Sequence, residues 1–205
     1  MHIKTASTDY PINDLLRNRW SPRAYSPQPV ETEKIKNFLE AARWSPSASN
    51  QQPWRFIIGF KGDETYNKLV DSMVEFNRLW AVTAPVLLLA IAKTTNHKGE
   101  PNTAAVYDLG QSVAHLTFQA TADGLYVHQM GGFDAAKTIE AFEIPGEYRV
   151  MTIIAVGTIG DPELLHENLR KMEITPRERI KIQDLVFSGS FGKPSEVFNK
   201  QTNKQ

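Results

Sequence analysis

Cysteine is absent from this 205-residue chain. That removes disulfides, thiolate nucleophiles, iron–sulfur ligation and Cys-rich zinc sites together, and it accords with a reducing compartment. Net charge is absent as well. The 23 Lys and Arg balance 23 Asp and Glu, so the basic excess that binding to nucleic acid phosphates needs is missing. Long apolar runs are missing too. Val86–Ala92 is the longest, at seven residues, far short of the ~20 that span a bilayer as a helix. The opening MHIKTASTDYPINDLL has no continuous apolar core of the signal-peptide kind. The expectation is a cytoplasmic protein with neither membrane nor nucleic acid as partner. Five scattered histidines show no HExxH or paired spacing, so no metal site is expected. There is no Gly-x-Ser-x-Gly elbow of a hydrolase and no GxGxxG of a dinucleotide fold.

What is present suits a soluble globular domain. Hydrophobic residues make up 41% and charged residues 22%, enough apolar side chain to build a core. Asp14–Asn18 reads as the end of a short helix, followed by a turn-rich stretch. In ETEKIKNFLEAARWS, Ile35, Phe38, Leu39 and Ala42 share a helical face, and Pro46 closes the segment. SPSASNQQP is loop. RFIIGF (Arg55–Phe60) is a strand, and Asp63–Leu79 one amphipathic helix. VLLLAIA after Pro85 is a strand buried on both faces. Thr103–Asp123 is a long helix with Gly124 as its cap. HQMGGF is a loop leading to Asp134 as N-cap of the next helix, which runs through Phe142. VMTIIAVG (150–157) is a third apolar strand. A charged stretch, a short apolar patch at Leu185–Phe187 and a polar tail from Lys193 complete the chain. Helices surround a few strands without strict β-α-β alternation, and no internal repeat or linker divides them. The expectation is an α+β domain over residues 1–192 with a tail at 193–205.

Four clusters carry the polar chemistry. RNRWSPR places Arg17, Arg19 and Arg23 around Ser21; guanidinium forks match phosphate oxygens, though a solvated basic run has the same composition. PSASNQQPW offers Ser47, Ser49, Asn50 and Gln52, groups that read a heterocycle's polar edge or close an ordinary turn. QMGGFD puts Gly131 and Gly132 before a helix, where backbone N–H groups approach a ligand or simply turn. RERIK offers Arg177, Arg179 and Lys181 as phosphate ligands or as surface charge. His115 lies inside the long helix, and His128 precedes the Gly-Gly turn.

The order and spacing of these clusters resemble the nitroreductase family from Leu15 to about Gly192. The motifs are Arg19-x-Ser21-x-Arg23, the loop Pro46–Trp54 matched at each position, Ala84–Pro85 and its strand, Gly124–Leu125, and Gly132–Phe133–Asp134. The resemblance implies a three-layer α+β fold with a mixed or antiparallel sheet wrapped by helices. It also implies an intertwined homodimer in which the C-terminal arm adds a strand to the partner's sheet, with FMN held non-covalently between subunits. Arg19 and Ser21, with Arg179, would hold its phosphate and ribityl chain, alongside Trp20. Arg23 would sit by the pyrimidine edge, where positive charge tunes the cofactor. Ser47, Ser49 and Asn50 would reach across from the partner, and Pro46 and Gln52 would also contact the cofactor. The backbone of Met130, Gly131 and Gly132 would face the flavin N5, with Gly131 where many members carry Glu. Asn77 and Trp80 would line the cleft. The implied activity is hydride transfer from NADH or NADPH to a nitroaromatic, quinone or similar electron-poor acceptor by a ping-pong mechanism. The flavin would carry the chemistry, with no catalytic side chain. Relatives on this scaffold also dehalogenate, oxidise azolines or break down flavin; the Lys93–Asn102 loop is short for the lid of the dehalogenating kind. A non-catalytic FMN-binding dimer is the remaining alternative.

Overall fold

Val86–Ala92 is buried residue by residue, and that explains the layering of the protein. The structure, a computed structural model, describes residues 4–198. Contact density divides the chain into two units, Met1–Thr175 and Pro176–Gln205. In the first unit β2 (Val86–Lys93) runs through the sheet interior. Its alternate side chains serve two different cores. Val86, Leu88, Ala90 and Ala92 face α2 (Thr32–Arg43) and α5 (Ala105–Ala122), while Leu87, Leu89 and Ile91 face α3 (Glu64–Ser72) and α4 (Glu75–Ala81). The result is three layers, helix–sheet–helix.

The sheet has the order β1-β2-β4-β3, with β1 Trp54–Phe60, β3 Tyr126–Met130 and β4 Tyr148–Gly157. Each neighbouring pair is antiparallel. The expected α+β architecture is therefore the observed one, with the sheet antiparallel throughout. No helix among the described residues is long and apolar enough to cross a membrane.

Three elements differ from expectation. HQMGGF is not all loop, because its first half belongs to β3. Tyr126 pairs with Gly157 and Met130 with Ile153. The strand is hard to read because polar His128 and Gln129 interrupt the apolar pattern of an edge strand five residues long. Asp63–Leu79 is two helices, not one. Met73 bridges Phe133, and the Val74 N–H donates to the Gly132 carbonyl, so tertiary pairing breaks the amphipathic pattern. The charged stretch after Asp161 contains α7 (Glu167–Ile174), which buries Leu169 and Glu173. Leu165, Leu169 and Glu173 are spaced by four, a helical stripe disguised by an acid in a core position.

The caps follow the sequence closely. Asp134 accepts from the Lys137 N–H as N-cap of α6 (Ala135–Ala141). Gly124, at φ 76°, ends α5 and lets the Leu125 N–H reach the Ala120 carbonyl. In the second unit Phe187 bridges Pro194 and packs its ring against that of Phe191 at a tilt of 55°. Leu185–Val186 lies outside any named strand there. Residues 199–205 of the expected tail lie outside the described residues.

Candidate functional site

The basic segment after α1 (Asp14–Asn18) is held at its backbone. The Glu173 carboxylate, 1% exposed, accepts from the Arg23 N–H at 2.9 and 3.0 Å and from the Ala24 N–H at 3.0 Å. The Ala24 carbonyl accepts from Gly160, and Tyr25 bridges Ile159. Tyr25 is buried, its hydroxyl donating to the Ala155 carbonyl, and burial pushes its pKa well up. On the other side, the Pro22 carbonyl accepts from His128 Nδ1 at 2.8 Å. So Pro22 to Ala24 is clamped between α7 and β3. Arg19 Nη1 lies 3.5 Å from Ser21 Oγ. Trp20 is buried edge-on against Tyr126, with the Lys4 ammonium 5.1 Å from its ring centre; its ring serves the core.

Arg23, Trp80 and His128 form a stack. The Arg23 guanidinium lies 5.9 Å from the Trp80 ring centre, and the His128 ring stacks on Trp80 at 4.4 Å. Trp80 is buried. Burial lowers the Arg23 pKa, with Glu173 acting in the other direction. Arg23 Nε and Trp80 Nε1 are buried and have no hydrogen-bond partner among the described residues. Buried donors of this kind are costly unless a ligand or water satisfies them. Burial also lowers His128 to about 4, and the nearby Arg23 and Arg19 charges act in the same direction. At neutral pH its imidazole is uncharged.

The Gly-Gly turn is fixed against α4. The Asn77 side-chain amide donates to the Gly132 carbonyl at 2.9 Å. A Cβ on Gly132 would meet Asn77 Nδ2 at 2.7 Å and Val74 Cγ2 at 2.9 Å, whereas one on Gly131 would meet nothing within 4 Å. Gly132 is therefore required by packing, and Gly131 presents bare backbone to open space. Met130 is buried in the core below the turn.

The loop Pro46–Trp54 is a second, separately built centre. Ser49, Asn50 and Gln52 all have positive φ (50°, 54° and 49°). Non-glycine residues rarely adopt that conformation, and such strain clusters at functional sites. Ser47 Oγ accepts from the Gln52 N–H at 3.0 Å, and buried Asp108 of α5 accepts from the Ala48 N–H at 3.0 Å. Pro46, Ser49, Asn50 and Gln52 are exposed, and Ser47 is half-buried. Asp108 and Glu173 thus play matching parts behind the two centres, and the sequence reading singles out neither. The available signal is a carboxylate on a buried helix face, which needs a partner.

The two centres lie at opposite corners of the sheet. The loop enters β1 at Trp54, which pairs with Ala92, and Ala92 pairs with Arg149 at the start of β4. His128 pairs with Ala155 near the end of β4. Positions 149 and 155 are about 20 Å apart at the usual strand rise, and β1 and β3 are about 14 Å apart across the intervening strands. Within one chain, Arg19, Ser21, Arg23, Asn77, Trp80, His128 and Gly131–Gly132 come together, and Ser47–Gln52 does not join them. Arg179 belongs to the second unit, where it is exposed and donates to the Glu178 carbonyl. Arg177 is half-buried and Lys181 exposed.

The first unit is thus a three-layer α+β scaffold with a clamped basic segment and an open glycine turn. The profile of the Nitroreductase family matches residues 16–79 and 63–158. A solved structure described as the oxidoreductase containing FMN is 34% identical, with a TM-score of 0.88, covering 94% of this chain and 99% of that one. An uncharacterized 15.4 kDa protein of Mycolicibacterium smegmatis is 32% identical over 148 residues, 68% of this chain and 99% of the relative. An Archaeoglobus fulgidus protein, provisionally named NADH dehydrogenase/NAD(P)H nitroreductase, is 24% identical over 157 residues, 75% of this chain and 88% of the relative. The chain belongs to the nitroreductase family.

Proposed function

We propose that the protein is an FMN-dependent oxidoreductase that passes hydride from NADH or NADPH to an electron-poor acceptor such as a nitroaromatic or quinone. The observation that carries this reading is the Arg23 guanidinium. It is half-buried beside Trp80, its Nε lacks a partner among the described residues, and its backbone is gripped by Glu173. Such a group is built to meet a ligand. The residues present fit FMN. Arg19 and Ser21 supply charge-assisted donors for a phosphate, Arg23 a donor for the carbonyl-bearing ring edge, and Gly131 bare backbone with room above it. The FMN-containing relative supports the same group, and the name of the Archaeoglobus protein supports the donor.

When bound, FMN would supply hydride acceptance and return. The chain supplies position and electrostatics rather than an acid or nucleophile. Arg19 and Ser21 would hold the phosphate end. Arg23 would keep positive charge beside the pyrimidine edge, where it would favour the anionic reduced form. The clamp on its backbone means that little reorganisation is needed. Donor and acceptor would occupy one place in turn, which would make the kinetics ping-pong.

The site is shared between two copies of the chain in this reading, acting in the cytoplasm. Residues 1–192 form the FMN-binding domain and 193–205 a polar tail. The opposite corners support sharing, because Ser47, Ser49, Asn50 and Gln52 cannot reach the Arg19–Arg23 centre of their own chain. Tyr107 of α5 and Trp44 after α2, each 73% exposed, are apolar surface suited to a second copy. Subunit mixing tests this. R19A and N50A chains should each bind FMN weakly alone; co-expressed with different tags, they should form a heterodimer with one intact site and recover half the wild-type FMN content. No recovery in an isolated heterodimer contradicts the shared site.

A further inference from the structure

The unused feature of this centre is a hydrogen-bond acceptor among cations. We propose that His128 is a specificity residue of the FMN site, its Nε2 accepting a hydrogen bond from a hydroxyl of the ribityl chain. The proposal rests on the FMN reading above and adds to it the part of the ligand that His128 reads.

A carbonyl oxygen only accepts, so the 2.8 Å contact with Pro22 means that Nδ1 carries the proton. The imidazole is neutral, because burial and the nearby Arg23 and Arg19 hold its pKa to about 4. A neutral ring with its proton on Nδ1 must present a lone pair at Nε2. That atom has no partner among the described residues, and it is not among the buried polar atoms left unsatisfied, so it is open to a ligand. Stacking on Trp80 at 4.4 Å, with 34° between the planes, fixes the ring orientation.

The surroundings select the donor. Arg19 and Arg23 offer N–H groups and accept nothing. Phosphate oxygens and ring carbonyls accept only, so they are served by the arginines. The ribityl hydroxyls, like the ring N3–H, each carry a proton that needs an acceptor, and lumiflavin, which keeps the N3–H but lacks those hydroxyls, separates the two. Pro22, the residue that His128 grips, lies between Ser21 and Arg23, the residues assigned to the phosphate end and the ring edge. His128 itself lies three positions before Gly131 on β3. The lone pair is therefore presented between the two ends of the ligand. A metal ion is a poorer occupant, because no group of three His, Cys, Asp or Glu gathers among the described residues.

The test uses full-length protein freed of flavin and titrated with FMN, riboflavin and lumiflavin, which lacks the ribityl hydroxyls. Binding is read from flavin fluorescence. Wild type is compared with H128F, which keeps the stack, and H128Q, which keeps an acceptor. H128F should bind FMN and riboflavin about three- to tenfold more weakly, as expected for one lost hydrogen bond. Lumiflavin affinity should not change, and H128Q should recover part of the loss. In wild-type protein labelled with 15N-histidine, the Nε2 resonance should move on adding riboflavin and stay on adding lumiflavin, which keeps the test valid if H128F fails to fold. Equal losses for all three flavins, or none, with wild-type FMN binding intact, overturn the His128 assignment alone. Wild type that binds no FMN overturns the function and this inference with it.

Discussion

Glu173 and Arg23, 150 residues apart in sequence, meet through the backbone: both carboxylate oxygens accept from the Arg23 N–H, at 2.9 and 3.0 Å. The guanidinium is thereby spared from pairing with the acid that holds its main chain. An acid facing the side chain would satisfy the arginine and remove it from ligand binding. Here the acid fixes the loop, and the cation remains available. E173A should cost on the order of 3 kcal/mol, because it strands two buried N–H donors on Arg23 and Ala24. E173Q should cost less, since one acceptor oxygen remains. Urea denaturation of the three proteins measures the order; an E173A protein as stable as wild type contradicts the clamp.

Arg19 tests the phosphate assignment. R19A removes a charge-assisted contact worth about 1.5–3 kcal/mol, which is roughly a ten- to hundredfold loss of FMN affinity. Riboflavin, lacking the phosphate, should bind R19A and wild type alike. Unchanged FMN affinity on titration removes Arg19 from the site.

His128 gives a pH dependence with a definite sign. Unfolded, it takes a proton near 6.5; folded, it takes one only near about 4. Between those values the unfolded chain holds more protons. Its contribution to stability is therefore full above about pH 6.5 and lost progressively as the pH falls toward 4. The span amounts to on the order of 3 kcal/mol at about 1.4 kcal/mol per pH unit. Replacing the ring by Phe should flatten this part of the profile. Parallel wild-type and H128F stability curves between pH 4.5 and 6.5 contradict it.

Gly131 and Gly132 are adjacent and should respond oppositely. G132A drives a methyl against Asn77 Nδ2 and Val74 Cγ2, at 2.7 and 2.9 Å from its Cβ, and should cost about 1–3 kcal/mol. G131A meets nothing within 4 Å and should leave the melting temperature close to wild type. Equal melting temperatures for the two variants contradict the packing.

Much of the fold could be read from periodicity, because Val86–Ala92 and the α5 stripe are long and apolar. The caps at Gly124 and Asp134 were legible for a local reason, each being a residue type that its backbone position demands. β3 was not, since polar His128 and Gln129 interrupt the apolar pattern of a strand five residues long. The break between α3 and α4 was hidden for another reason. It is imposed by Phe133, 60 residues from Met73, and no local pattern records it. The candidate site followed the same division. Arg19, Ser21, Arg23 and the Gly-Gly turn were visible as motifs and come together in space. Asp108 and Glu173 act through backbone groups far away in the chain, so their roles emerge only once the fold brings them close.

The central claim is that this scaffold holds a flavin reducible by a nicotinamide. The most direct test is the anaerobic absorbance spectrum of the purified protein, supplied with FMN and recorded before and after NADH and then NADPH. The account predicts a bound flavin spectrum that bleaches with one of the two donors and returns when a quinone or nitroarene is added. Bound flavin that stays oxidised with both, or no flavin binding at all, contradicts it.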